Sequence, residues 1–492
     1  MRIRVTQGIA RAAFIPVLSM VWSAASWAGP INWPLSPRTA PHALGNSYGE
    51  YQNYGGGAYY HPGIDILGNA GDSVFAVKAG YVKAILTTAA ELHWRAAIGD
   101  SAAPVACDGY LYAHLDVETI EVAPGDAVAE GQFLGRLVSW PVAQFHHLHF
   151  VKIRQSGFPW SSDWQFIYDP LHEIQDAEDL TPPEFVPLPN GTYFAFFQNN
   201  SFSYLPAGSG LSGGLDFLVS VRDKVNHPTW WLAPYEVRYR FRNDSLAYPF
   251  ILSVRFRDTL WWDQNVSTIY RDDLIHDSKG DYNDREYYII CTNTDNDSFI
   301  ETSDRDSAWF TGDYPNGTYW LSVDALDRWG NRASESLQVA LENYFTLTGT
   351  VGLADQPPTF AGTIVGLEEL GVSDTTDAAG EYAIAGVGPG RYTLTLERPY
   401  YDAIRVSTYL RTRDSVRDFA MLPIYGLRGD INHSNSVNAA DVILLVNYVF
   451  RSGPQPEPIS LGDVNGIPPV TSSDIIYLVN YVFKGGPPPP PL

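Results

Sequence analysis

Three histidines fall within four positions of the run "FHHLHF", Phe145 to Phe150, in a chain with eleven histidines among 492 residues. The flanking residues are apolar, which favours a strand, and strand side chains alternate between two faces. His147 and His149 then share one face, with His146 and Leu148 on the other. Paired imidazoles carry polar nitrogens that are costly to bury without partners, and a metal ion is the usual remedy. A second run, "YYHPGIDI", sets His61 and Asp65 four apart, and Pro62-Gly63 argues for a turn running into a strand rather than a helix. One His, one Asp and a second His leave a coordination position for water, the donor set of a hydrolytic zinc site rather than a closed structural one. The absence of clustered cysteines agrees with this, since only Cys107 and Cys291 are present.

The elements that must position these residues are β-rich. From about 30 to 175, runs such as "SVFAVKAGYVKAIL" and "GYLYAHL" are separated by Gly-rich turns, which predicts antiparallel sheet. The stretch "EIQDAEDLTPPEFVPLP" reads as a linker stiffened by Pro182 and Pro183. From 185 to 344, alternating strands with Asn-Gly in "LPNGTYFAFF" and "YPNGTYWLSVDALDRWGN" predict hairpins in an immunoglobulin-like β-sandwich. The segment 345–424 contains "TTDAAGEYAIAGVGPGRYTLTLE", which resembles the carboxypeptidase regulatory-like sandwich. Both β modules read as spacers or stabilisers. Finally, "GDINHSNSVNAADVILLVNYVF" and "GDVNGIPPVTSSDIIYLVNYVF" repeat at an offset of 33 residues, Asp430 matching Asp463 and Asp441 matching Asp474. Each copy is an oxygen-rich loop followed by an amphipathic helix. The pair occupies 425–486, and a proline-rich tail, 487–492, is expected to be extended.

Composition bounds the setting. The length suits three or four domains, and 45% hydrophobic residues with fourteen Trp and thirty Tyr suit a folded, mainly β chain. A net charge of −23 disfavours nucleic acid or an anionic membrane as partner. Arg2, Arg4 and Arg11 precede the apolar run Ala12 to Ala25, and Ser26-Trp27-Ala28 has small residues where a signal peptidase reads them, so residues 1–28 are expected to be a secretory signal. No later segment is long enough to span a bilayer. Two cysteines far apart exclude a disulfide framework and leave their own pairing open.

Together and in order, "GNSYGEY", "HPGIDI", "GDSVFAVKAGYV", "YAHL", "VAPGDAVAEGQFLG" and "HLHF" resemble the lysostaphin/LytM-type zinc metallopeptidases, a family of peptidoglycan hydrolases, over about 110 residues. The resemblance implies zinc held by His61, Asp65 and His149, with His114 of "YAHL" and His147 as the catalytic pair. Zinc so held lowers the pKa of a bound water to about 7 and polarises a scissile carbonyl. The two further histidines would accept the water's proton or donate to the developing oxyanion. Phe145 and His146 stand where the family often has glycine and proline, and "RLVSWPVAQF" is poorer in glycine than usual, so the substrate cleft is expected to differ in shape. His146 itself reads as a packing or rim residue.

The C-terminal pair resembles dockerin modules, whose loops hold calcium through oxygens at positions 1, 3, 5, 9 and 12. The first loop supplies Asp430, Asn432, Ser434, Asn438 and Asp441; the second supplies Asp463, Asn465, Thr471 and Asp474 but has Ile467 at a ligand position, which predicts weaker binding. Asn293, Asp295, Asp297 and Asp304 mimic such a loop within a β-rich segment, where a solvated acidic turn is the preferred reading. The sequence thus predicts a bacterial zinc endopeptidase, secreted or at the cell surface or in the periplasm, acting on peptidoglycan peptides and tethered through a cohesin-like partner. The competing expectations are a cell-wall-binding protein without catalysis and an assembly protein. Loss of a ligand or catalytic histidine would mark the first of these, and none is lost.

Overall fold

Short apolar runs ended by glycine and proline fold as strands through most of the chain, and the two amphipathic repeats fold as its two α-helices among the described residues. The computed structural model describes residues 29–490 apart from 55–56, 88–90, 104–106, 156–165, 176, 258–265, 282–283, 356, 358 and 425. The expected signal, 1–28, and the last two residues of the proline tail lie outside the described residues.

The first unit is an antiparallel sheet with spatial order Leu44–Asn46, Ile64–Leu67, His147–Gln155, Cys107–Ala113, Arg95–Gly99, Gly80–Leu86 and Ala127–Val128. Its central strand, His147–Gln155, pairs with Ile64–Leu67 on one side and Cys107–Ala113 on the other. Register sets His149 opposite both Asp65 and Ala113, so residues 65, 149 and 114 come together although they are far apart in sequence. Phe150 and Val151 of this strand are fully buried, and Phe150 stacks on Tyr110 at 5.4 Å. Aromatic and β-branched side chains covering both faces hold the register, because a one-residue slip would exchange them.

Two larger sheets and a two-stranded hairpin, Lys279–Asp281 with Asp284–Glu286, follow between 184 and 341. One larger sheet joins Glu184–Val186, Ala195–Gln198, Tyr288–Ile290 and Trp309–Phe310 to Gly214–Arg222; the other runs Ile251–Arg255, Glu236–Arg242, Gly317–Leu326, Arg332–Leu341. They meet through buried aromatics such as Phe217 and Tyr239, whose rings pack edge to face at 5.1 Å. The Asn-Gly turns do not make the expected hairpins. Glu184–Val186 and Ala195–Gln198, on either side of Asn190-Gly191, both pair with Gly214–Arg222 and not with each other. Asn316 instead ties to Asn343 through both side-chain atoms, at 2.7 Å each. The long hairpin closes at "DRWGN", where the Asp327 carboxylate accepts from the backbone of Trp329 and Asn331.

The expected linker is bound down rather than free. Ala177 O accepts from the Trp329 indole at 2.7 Å, Asp179 O accepts from Asn331 at 2.9 Å, and Phe185 is buried. One continuous buried core runs from Ile31 to Leu341, joining the first sheet to the two that follow. A separate core, including Leu347, Val365, Leu394 and Met421, underlies the strands from Phe345–Leu353 to Phe419–Met421.

The repeats form α1 (Ala439–Arg451) and α2 (Ser472–Lys484). Each starts with a reciprocal capping box, Asn438 with Asp441 and Thr471 with Asp474. Each ends on a left-handed residue, Ser452 at φ 54° and Gly485 at φ 64°, where glycine avoids the steric cost that serine bears. Val442, Leu445, Ile475 and Leu478 close the small core between the helices. Phe450 and Phe483, which the repeat pattern also suggests for this core, are instead 66% and 62% exposed. At 100° per residue, position 450 aligns with Ile443 seven residues earlier, on the outer face.

Candidate metal centre

His61 Nε2, Asp65 Oδ1 and His149 Nδ1 converge. The separations are 3.0 Å between the two nitrogens, 2.8 Å from His149 to Asp65 and 3.3 Å from His61 to Asp65. Among the described residues this is the one group of three such side chains whose ligand atoms could hold a metal ion. Zinc bonds of about 2.0–2.1 Å arranged tetrahedrally would set their donors about 3.3 Å apart, so the three atoms fit the ion with slight opening.

Local hydrogen bonds aim each ring. His61 Nδ1 donates to Ser47 O at 2.9 Å, which leaves Nε2 as the lone-pair nitrogen facing Asp65. His147 Nδ1 donates to Phe145 O at 2.9 Å, and its Nε2 lies 3.5 Å from Asp65 Oδ2. His114 Nδ1 donates to Leu92 O at 2.6 Å. His114 sits at φ 68°, an unusual backbone for a non-glycine residue, held by bonds from Val138 N to its carbonyl and from Leu115 N to Trp94 O. Its ring lies 4.5 Å from that of His147 and 5.8 Å from that of His149.

Burial governs the electrostatics. It lowers the pKa of His147, lowers that of His114 well below the usual imidazole value with help from His147 and His149, and lowers that of His149 to about 4 against the pull of Asp65. These rings are therefore neutral at physiological pH, the state in which imidazole can ligate or accept a proton. Burial opposes ionisation of Asp65 too, yet His147 and His61, which gain charge in the acid range where a carboxyl titrates, and the ring nitrogens of His149 and His61, which can then donate to it, hold its pKa well below normal. For His61, burial is outweighed by the Asp65 carboxylate and the pKa rises. His149 is the most exposed member, with a side chain 13% accessible, so the centre opens to solvent on its side.

Sequence reading brought these five residues forward and missed others. Trp140 packs edge-on against His114 and His147, with ring centroids 4.5 and 4.8 Å apart, and the exposed His93 flanks both Trp140 and His114. The signal was a lone Trp-Pro pair in "RLVSWPVAQF", which has no spacing rule to mark it. His146 turns away and accepts from Trp140 N at 3.0 Å, a loop-fixing contact consistent with its rim position. Cys107 and Cys291 are both buried and unbonded to each other.

In the first C-terminal loop, Asp430 accepts from Ser434 N at 2.9 Å and Asn432 accepts from the same amide at 3.0 Å. Asp441, fully buried, accepts from the backbone of Ile431, Asn432 and Asn438. Asn438 directs its oxygen to Ala440 N as the helix cap. Two buried carboxylates with no basic partner among the described residues suit a hard cation such as calcium. In the second loop, Arg428 reaches Asp463 at 3.2 Å, Asp474 accepts from Asn465 N and Thr471 N, and Ile467 is 71% exposed. In the stretch 293–304, Asn293 is buried and donates to Thr268 O, Asp295 and Asp297 are exposed and cap their own turn, and Asp304 caps Glu301 N. Burial, reinforced by the neighbouring carboxylates, raises Asp304 to about 6.

Residues 59–160 match the family model for peptidase family M23, and residues 428–483 match that of the dockerin type I domain. The chain carries both domains. Among solved structures, the catalytic domain of the antimicrobial peptidase lysostaphin from Staphylococcus simulans is 25% identical, with 24% of this chain and 84% of that one covered and a TM-score of 0.20. The catalytic domain of a prophage-encoded M23 protein, EnpA, from Enterococcus faecalis is 22% identical over 25% of this chain and 92% of that one, with a TM-score of 0.20. A type II cohesin-X-dockerin complex from Acetivibrio cellulolyticus is matched at 14% identity over 28% of this chain and 94% of that one, with a TM-score of 0.18. No curated protein matches the chain.

Proposed function

We propose that this protein is a secreted zinc metalloendopeptidase that cleaves peptide bonds of peptidoglycan, in stem peptides or cross-bridges, and is tethered through its dockerin domain. The observation that carries this reading is the convergence of His61, Asp65 and His149 within the M23-matching segment, beside two buried neutral imidazoles. When bound, zinc would supply a water of lowered pKa and a polarising charge. His61, Asp65 and His149 would hold it. His147 and His114, each fixed through Nδ1 by a backbone carbonyl, present Nε2 to the reaction centre, where one accepts a proton and either, once protonated, donates to the oxyanion. Trp140 forms one wall against these rings.

Tethering is supported by the outer face of the helix pair. Ile443, Phe450, Ile476 and Phe483 are 61%, 66%, 62% and 62% exposed, and they occur as two pairs 33 residues apart. Large apolar side chains left in water in a repeated arrangement mark a docking face for a cohesin-like partner. No helix among the described residues is long and apolar enough to cross a membrane.

The test is metal analysis of the purified chain together with digestion of purified cell walls, the released fragments identified by mass spectrometry. One zinc per chain and peptide fragments from the wild type are expected, with both absent in His61→Ala and in Asp65→Ala. Full zinc occupancy in both variants would move the site elsewhere, and intact walls with a fully loaded wild type would favour the binding or assembly role.

A further inference from the structure

The segment that the sequence marks as a spacer reaches the metal centre. Arg285 lies on the short strand Asp284–Glu286, which forms a hairpin with Lys279–Asp281. Its side chain is only 3% accessible and leaves its own unit. One guanidinium nitrogen donates to Gly45 O and, at 2.8 Å, to Trp231 O; the other donates to Asn46 Oδ1 at 2.9 Å. The guanidinium also faces Glu50 Oε1 at 3.7 Å and lies 5.8 and 5.5 Å from the rings of Phe145 and Trp230.

Two of these partners, Glu50 and Phe145, lead directly to histidines of the site. Glu50 is fully buried, and its Oε2 accepts from Ser47 N at 2.9 Å and from Ser47 Oγ at 3.1 Å. Glu50 Oε1 is buried with Arg285 as its facing cation, and the Tyr287 hydroxyl also lies beside the carboxyl. Ser47 O receives His61 Nδ1, and Glu50 O receives His61 N at 2.7 Å. On the other side of the centre, the Phe145 ring packs on Trp230 at 5.1 Å while Phe145 O receives His147 Nδ1. Further contacts brace the same loop: Tyr270 OH donates to Gly49 O at 2.9 Å, and the ring of Phe256 fills the space beside Gly49, where any side chain would collide with it.

Resting on the zinc-site reading above, we propose that Arg285 is a positioning residue of the metal centre: through Glu50 and the 45–50 loop it fixes the carbonyl that orients His61, so residues 185–341 complete the site rather than space it. A buried carboxylate is costly unless paired with an opposite charge. Without Arg285, Glu50 would lose its facing cation and Gly45 O and Asn46 Oδ1 their donor, so the 45–50 loop would no longer hold Ser47 O in line with His61 Nδ1. Partners that orient a metal-ligating histidine in this way typically change metal affinity about 10–100-fold.

The experiment uses the full chain and reads zinc affinity by competition with a chromophoric chelator, the absorption spectrum of the cobalt-substituted protein, and thermal unfolding in chelator. Arg285→Met is expected to weaken zinc at least about tenfold and alter the cobalt ligand-field bands, with Arg285→Lys recovering part of both. Arg238→Met removes ion pairs with Glu236 and Asp324 inside the sheets that follow, both partners lying outside the 45–50 loop, and is expected to leave affinity and spectrum unchanged. Glu50→Gln breaks the relay from within the first unit and is expected to act in the same direction; it decides the matter if Arg285→Met does not fold. Wild-type zinc affinity and spectrum in folded Arg285→Met, or in Glu50→Gln if the former is unfolded, would overturn the proposal. Parallel His61→Ala separates the two readings, because its retention of zinc would refute the site itself whatever the Arg285 variants do.

Discussion

Asp169 gives a sharp test of how the first unit and the following sheets are joined. Its side chain is 5% exposed, in a small cavity where these units meet, with Oδ1 accepting Leu171 N at 2.9 Å and Oδ2 3.5 Å from Arg328. Burial pushes its pKa from 3.8 to about 6, Arg328 and the Leu171 amide opposing only in part. A carboxyl whose folded pKa is raised favours folding while it keeps its proton. That contribution is therefore present at low pH and is lost as pH rises from the unfolded value, near 4, through about 6. At about 1.4 kcal/mol per pH unit of pKa difference, the loss totals about 3 kcal/mol. Asp169→Asn keeps the acceptor for Leu171 and cannot ionise. Relative to wild type, its unfolding free energy should rise by about 2–3 kcal/mol between pH 4 and pH 7.5, because groups common to both proteins cancel in the difference. Urea unfolding followed by tryptophan fluorescence at several pH values provides the measurement. A constant difference between the two proteins across this range would show that Asp169 is not buried in the way described, and the shared core would lose its support.

Further outcomes are expected at the site and in the C-terminal module. His147→Ala and His114→Ala should keep zinc and lose most turnover, since neither supplies a donor to the three-atom cluster; metal analysis beside a cell-wall digestion assay would show it, and unchanged hydrolysis in both would refute their role. Calcium should raise the unfolding temperature of the C-terminal transition in the full chain, by mass action worth about 2.7 kcal/mol at a hundredfold excess over the dissociation constant. Asp430→Ala should remove this effect and Asp463→Ala should matter less, because Arg428 already neutralises Asp463; identical curves in calcium and chelator would reject the site. Phe450→Ser combined with Phe483→Ser should leave that transition within about 0.5 kcal/mol of wild type, as expected for exposed positions, while weakening capture by a cohesin at least tenfold by surface plasmon resonance.

What the sequence determined by itself is local or periodic. Strands follow from short apolar runs between glycine turns, the turn into Ile64–Leu67 from Pro62-Gly63, and the helix starts from Asn438 with Asp441 and Thr471 with Asp474. The five candidate site residues were legible because they stand in ordered motifs, and β pairing then had only to align His149 with Asp65 and Ala113. Tertiary structure alone decided the rest. Arg285 meets Gly45 across 240 residues of chain, and no local pattern marks either as the other's partner. Asn190-Gly191 turns the chain as its dihedral preferences require, yet the choice of Gly214–Arg222 as the shared neighbour of the flanking strands depends on which buried faces can be covered together. Phe450 lies at the border of an apolar helical stripe, where a rotation of 100° separates core from solvent; the partner helix, not hydrophobicity, sets that border. Burial likewise lowers the pKa of His114 and His147, because desolvation depends on what the whole fold places around an imidazole and not on its neighbours in sequence.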